Sequence, residues 1–400
     1  MSLFTDEIKL SNDLAKIHAG KSKALTTTDY DLHRLPFAFP EGLEDLWIGN
    51  ATINVLESRL PSTLKKLDLH GSQIAEVIDQ LPVRLEEFIT SRDMRELPRL
   101  PNGLKRLELY RLLYINYLYP LPDDLEELII RDCNVLARLP PLPPKLKKLY
   151  IRRCTLLRRL PRLPEGLEVL DIAESSIRSI PDLPSTVNFI NITETMITEL
   201  PPLPSSLTRL LAIESSLEEL PPLPEGLKQL NLTESRFIDR LPPLPSTLEE
   251  LAIGVNARIK TIPPLPKHLR VLSLHNTLEI TELPELPPKL EMLNMSDSNV
   301  YTIPTIPSTL RQLHISGCGN LLIQRKRGET IQEYNERFEE IRSKARQEKK
   351  AKEIKKELYA RVMYHPNVLH KIIRYIPENE DPMTYFENED FKMKLMNLDI

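Results

Sequence analysis

Histidine, cysteine and paired carboxylates are the side chains here that could make or break bonds, and their spacing argues against it. Eight histidines, among them His18, His70, His275, His314 and His365, show none of the short spacings that bring two ligands to one metal. Cys133, Cys154 and Cys318 stand far apart in the chain, whereas zinc sites use close pairs. They read either as buried spacers in a turn or as reactive thiols. Gly-rich phosphate loops, H-E-x-x-H and G-x-S-x-G are absent from the sequence. The expectation is a protein with no catalytic residue, no metal and no cofactor.

What recurs instead is charge suited to recognition. Glu174, Glu194, Glu214 and Glu234 follow one another at equal intervals. Upstream lie Arg106, Tyr110, Arg111, Arg131, Lys148, Tyr150, Arg152 and Arg153. Arginine and tyrosine are enriched at protein-contact hot spots. Leu211 and Ile213 would add an apolar contact. These residues share a surface only if the chain returns on itself once per interval.

The pattern L-x-x-L-x-[LI] supplies that return. Its first position falls at Leu43, Leu64, Leu85, Leu104, Leu125, Leu146, Leu167, Val187, Leu207, Leu227, Leu248, Leu269, Leu290 and Leu310, in nearly equal steps. Around Leu227, the strand Leu227-Lys228-Gln229-Leu230-Asn231-Leu232 turns its leucines inward and Gln229, Asn231 and Thr233 outward, as period two requires. The return is [LI]-P-x-[LI]-P, as in Leu241–Pro245. Prolines three apart suit polyproline II, with prolines outward and leucines inward, and no helix can form there. One unit has no core of its own, so the units must stack into one parallel sheet.

Stacking places the four glutamates about 5 Å apart, two residues past the last strand leucine. They read as a solvated rim or as an acidic track for a basic partner or a cation. The basic and aromatic group falls at outward strand or strand-end positions of units four to six, where it reads as a solvated basic face or as a site for a protein, a phosphate or single-stranded nucleic acid. One residue beyond the glutamates, most units carry Ser, Thr or Cys, which predicts a ladder of hydroxyls and thiols bonded to turn backbone. All three cysteines hold that position.

L-x-x-L-x-[LI] followed by [LI]-P-x-[LI]-P resembles the bacterial-type, YopM/IpaH-like leucine-rich repeat family over about Leu35 to Leu322. The resemblance implies a leucine-rich repeat solenoid with a curved parallel sheet on its concave face and an extended convex side. It also implies a protein-binding scaffold or effector. The family often has asparagine at the ladder position, where this chain has mostly smaller residues. Longer members carry a ubiquitin-ligase domain with a catalytic cysteine. The segment that follows the repeats here is short and holds no cysteine, so that activity is expected to be absent. The run Arg361-Val-Met-Tyr-His-Pro-Asn resembles C-terminal segments of large DNA virus proteins.

Three regions follow: residues 1–34 as an N-terminal leader or cap, 35–322 as the solenoid, and 323–400 as a charged helical extension or cap. Ser11-Asn12-Asp13 can start a short helix carrying Leu14 and Ile17. Ile331, Tyr334, Phe338 and Ile341 form a helical stripe, and Leu369, Ile372, Ile373 and Ile376 a second one after a break at Pro366. The basic runs at Arg325–Arg327 and Lys349–Lys356 read as an exposed helix or a nuclear localisation signal.

Composition sets the outer limits. With 36 prolines against 11 glycines, a helical bundle is excluded; with 41% apolar residues, so is a solvated disordered chain. A balance of 53 basic and 57 acidic side chains gives no whole-chain case for nucleic acid. The few cysteines and the lack of a signal-like start predict a reducing compartment: the cytoplasm, or the host cytosol or nucleus for an effector. No run is long enough to cross a membrane. The functional expectation is a non-catalytic scaffold binding protein through the concave sheet. The alternative is nucleic-acid or nucleoprotein binding through the basic patch and the C-terminal helix.

Overall fold

A computed structural model describes residues 11–26, 38–49, 52–56, 59–77, 80–92, 94–256, 258–321, 323–326 and 328–363. It divides into two units, residues 1–325 and 326–400. The second helical stripe, Pro366 and the ladder positions Ala51 and Asp93 lie outside the described residues.

In the first unit, every repeat starts a strand two residues after its first apolar position, from Asp45–Trp47 to Gln312–His314. These fourteen strands, preceded by Ala24–Thr26, form one fifteen-stranded parallel sheet in sequence order. The register is uniform, with the second residue of each strand facing that of the next: Leu149↔Leu170, Leu170↔Ile190, Ile190↔Leu210 and Leu210↔Leu230. Leu227, Leu230 and Leu232 are wholly buried, as are their counterparts Leu207, Leu210 and Ala212. Burying one such leucine contributes about 1.5–3 kcal/mol. Since each core position is closed by the units on either side, that gain exists only in the stack.

The entry to every strand is closed by proline. The carbonyl of the proline three residues back accepts the N–H of the first apolar position in all fourteen units, as in Leu146 N–H to Pro143 at 3.2 Å and Leu227 N–H to Pro224 at 3.0 Å. The return corrects the expectation that prolines face out and leucines in. In Leu241-Pro242-Pro243-Leu244-Pro245 the exposed residue is the middle Pro243, while Leu241 and Pro245 are both buried. The proline carbonyl must stay inside to reach the leucine N–H, and this sets the rotation of the return. The first two returns differ again. Lacking prolines, and rich in β-branched residues, Thr52–Leu56 and Gln73–Val77 pair as a separate two-stranded parallel sheet.

The predicted ladder is present. Ser175, Thr195 and Thr277 donate to the carbonyls three residues back, Ile172, Ile192 and Leu274, at 2.6–2.8 Å. The Cys133 thiol lies 3.3 Å from the Arg131 carbonyl and that of Cys154 3.4 Å from Arg152. Burial pushes the Cys133 thiol up to about 12 and the Cys154 thiol up to about 11. Both are therefore neutral spacers rather than nucleophiles at neutral pH. Asn256 alone provides the family's amide, donating to Ser235 O at 2.8 Å and accepting from the N–H groups of Arg258 and Ile259.

Residues 11–18 form the short N-terminal helix, with Ile17 buried. In the second unit, Ile331–Met363 is one helix. Thr330 and Glu333 bond reciprocally at its start, a capping box, and the rings of Tyr334 and Phe338 stack at 6.1 Å.

Candidate recognition surface on the sheet

Three outward positions per strand build the open face of the sheet. Arg106, Glu108 and Tyr110 come from one strand, Glu127, Ile129 and Arg131 from the next, and Lys148, Tyr150 and Arg152 from the third. The sequence reading gathered only the basic and aromatic members of this group. The intervening carboxylates face them in register and bind them.

Arg106 lies 2.9 Å from Glu108 and 3.3 Å from Glu127, with Glu87 at 4.0 Å. Arg131 reaches Glu108 at 3.7 Å, and Lys66 reaches Glu87 at 3.3 Å. One connected network thus spans units two to five. Farther along, Arg152 places Nη2 2.5 Å from Asp171, which is buried and also accepts from Asn191 at 3.3 Å. Hydrogen bonding to Asp171 raises the Arg152 guanidinium above its ordinary value. Lys148 and Arg111 remain exposed between these networks. Tyr110 is half-buried, its ring 4.5 Å from that of His70, and Tyr150 is half-buried on the same face.

The glutamates occupy a position whose backbone the sequence reading missed. Glu174, Glu194, Glu214 and Glu234 have φ of 55°, 54°, 50° and 61°, the left-handed region. Their N–H groups donate to the next unit, to Thr193, Ile213, Thr233 and Gly254 at 2.8–2.9 Å. This turn carries the chain off the sheet and puts the carboxylates along the edge of the open face. A signal was available, because Gly71 and Gly317 hold the same place at φ 85° and 73°. The acidic track is neutralised at both ends, Glu174 by Arg153 at 2.7 Å and Glu234 by Arg236 at 3.4 Å. Glu194 and Glu214 form no ion pair among the described residues.

Leu211 and Ile213 are half-buried on the face of unit nine. Beside them is a residue the sequence reading passed over. Phe189 is half-buried at the outward position of unit eight, with the Arg209 guanidinium 4.6 Å over its ring. Arg209 pairs in register with Phe189, so the strand alignment was sufficient to find it. His275 and His314 stand two strands apart, and the His275 ring covers Gly254, where a Cβ would collide with it.

An in-register parallel sheet on one side and a proline-closed return on the other define a leucine-rich repeat solenoid, a scaffold for protein interaction. Among solved structures it is similar to YopM, a leucine-rich effector protein from Yersinia pestis. The two are 26% identical with a TM-score of 0.61, over 78% of this chain and 93% of that one. YopM from Yersinia enterocolitica aligns at 24% identity and TM-score 0.44, over 77% and 90% of the two chains. A leucine-rich repeat protein of Leptospira interrogans aligns at 20% and 0.43, over 69% and 79%. No family model matches the chain, and no curated protein matches it.

Proposed function

We propose that the chain is a non-catalytic adaptor that binds a protein through the open face of its sheet, acting as a pathogen-derived or viral host-modulating effector in the host cytosol or nucleus. The observation that carries this reading is the band from unit four to unit nine. There, partly exposed Tyr110, Tyr150, Phe189, Leu211 and Ile213 lie between internally neutralised charge networks. Aromatic and apolar anchors within a polar surround are the anatomy of a protein contact. The effector role is supported by the description of the Yersinia pestis neighbour. Of the six basic groups in the patch, Arg106, Arg131, Arg152 and Arg153 are bound to carboxylates. Within this patch, that leaves little free charge to hold a polyanion.

The test is affinity capture from host-cell lysate with two variants beside wild type. Tyr150→Ala combined with Leu211→Asp should lose the captured partner by at least tenfold. Arg138→Ala, on the return side, should keep it. Equal recovery with the sheet-face variant would reject the surface.

A further inference from the structure

The returning side of the coil carries charges that these networks leave alone. Counting units from Leu43, unit five presents Arg138, unit six Arg158 and Arg159, and unit seven Arg178, all exposed. Unit eight presents Glu199, unit nine Glu218 and Glu219, and unit ten Asp239, again all exposed. Backbone bonds hold neighbouring returns side by side: Arg178 N–H donates to Arg158 O at 3.2 Å and Glu218 N–H to Thr198 O at 3.0 Å. None of the eight forms an ion pair among the described residues. On the sheet face of the same region, Arg131, Arg152 and Arg153 are all paired.

The order of the signs is informative. Turned about a point between units seven and eight, unit six falls on unit nine and seven on eight. Arg158 and Arg159 then oppose Glu218 and Glu219, and Arg178 opposes Glu199. A two-fold axis performs this operation, bringing one patch onto itself in reverse, and each pairing occurs twice. The outermost rung contributes nothing, because Arg240 stands beside Asp239 opposite Arg138.

Two further features suit a close contact. Leu156, Met196 and Phe237 are 48%, 54% and 48% exposed, each just before the wholly buried return residue Leu157, Ile197 or Ile238. Glu199, Glu218, Glu219 and Asp239 line one open groove of about 630 Å³, with Arg240 and Arg258 also lining it and Arg258 5.5 Å over the Phe237 ring. Arginine and carboxylate there can meet through paired hydrogen bonds.

We propose that the chain associates with a second copy of itself through this return side, antiparallel, with the two-fold axis between units seven and eight. A polyanion would meet the acidic half of the row. An unrelated partner would give no reason for a sign order that is its own complement.

Sedimentation velocity of the full chain tests this over a range of concentrations at low and high salt. Wild type should move from the mass of one chain to that of two as concentration rises, and salt should shift it back. Arg158→Glu with Arg159→Glu should weaken self-association at least tenfold, and so should Glu218→Arg with Glu219→Arg. Mixing these two variants should restore the dimer, because reversed signs then face each other. All four changes in one chain should restore it too. The altered side chains are exposed, and circular dichroism should show an unchanged fold. A wild type that stays single at every concentration in low salt would overturn the proposal. So would single-sign variants that dimerise like wild type, or a mixture that does not recover. The measurement needs no sheet-face partner, so its failure leaves the proposed function standing.

Discussion

Among the described residues, ten other than glycine hold φ between 49° and 61°, one per unit from Arg111 to Asp297. For an L-residue this conformation costs about 1–2 kcal/mol, least for asparagine and aspartate, and it is most unusual for a β-branched side chain. Asn276 and Asp297 therefore fit their place, the glutamates tolerate it, and Val255 at φ 56° is the most strained. Val255→Asn should raise the unfolding free energy by about 1 kcal/mol, read from the urea midpoint at constant slope. A lowered midpoint would mean that the valine side chain contributes packing beyond its backbone cost. At this scale the sequence was half legible. Its glycines marked the turn, but glutamate reads first as surface charge, and that hid a backbone requirement behind an electrostatic one.

Between elements, the residue just before each strand's first residue forms a row of alternating sign, broken only by Asn188 and Thr208. It runs Lys23, Glu44, Lys65, Glu86, Lys105, Glu126, Lys147 and Glu168, then resumes as Lys228, Glu249, Arg270, Glu291 and Arg311. Glu44 lies 2.6 Å from Lys23 and 2.7 Å from Lys65, and Arg270 2.9 Å from Glu291. Hydrogen bonds from Lys23 and Lys65 hold the Glu44 carboxyl down to about 2. An unfolded glutamate titrates at about 4.3. The contribution of Glu44 is therefore full above that pH and is lost as pH falls toward about 2. Glu44→Lys would line up three ammonium groups, so it should lower the urea midpoint more than Glu44→Gln does. The difference between the two should shrink in high salt. A salt-independent difference would assign the effect to packing. Strand positions, the proline-bearing return and the hydroxyl ladder were legible because each repeats at a fixed place. The ion pairs were not, because each joins residues a whole repeat apart that become neighbours only once two units are in register.

For the stacked unit as a whole, stability resides in contacts between adjacent coils, since each central leucine touches only the units beside it. Leu230→Ala should cost about 2–5 kcal/mol, with loss of contact on both sides. It should also broaden or split the urea transition by uncoupling the array at its middle. Leu313→Ala, in the last strand and already 5% exposed, should cost less and leave one transition. Equal shifts with a single transition in both would argue for one global core. The solenoid was legible throughout because fourteen repetitions of three apolar positions leave no other way to bury them. The choice of surface was less so: every strand offers outward residues, and burial alone does not say which are for a partner.

The alternating row also limits how such a gene can grow or shrink. Loss of one repeat, for instance the one bearing Glu86, would join Lys65 to Lys105 and leave two like neighbours. Loss of two consecutive repeats keeps the signs in step. Within either charged stretch, unequal recombination should therefore be tolerated in even numbers of repeats and selected against in odd ones, whereas the uncharged Asn188 and Thr208 units between them can be lost singly.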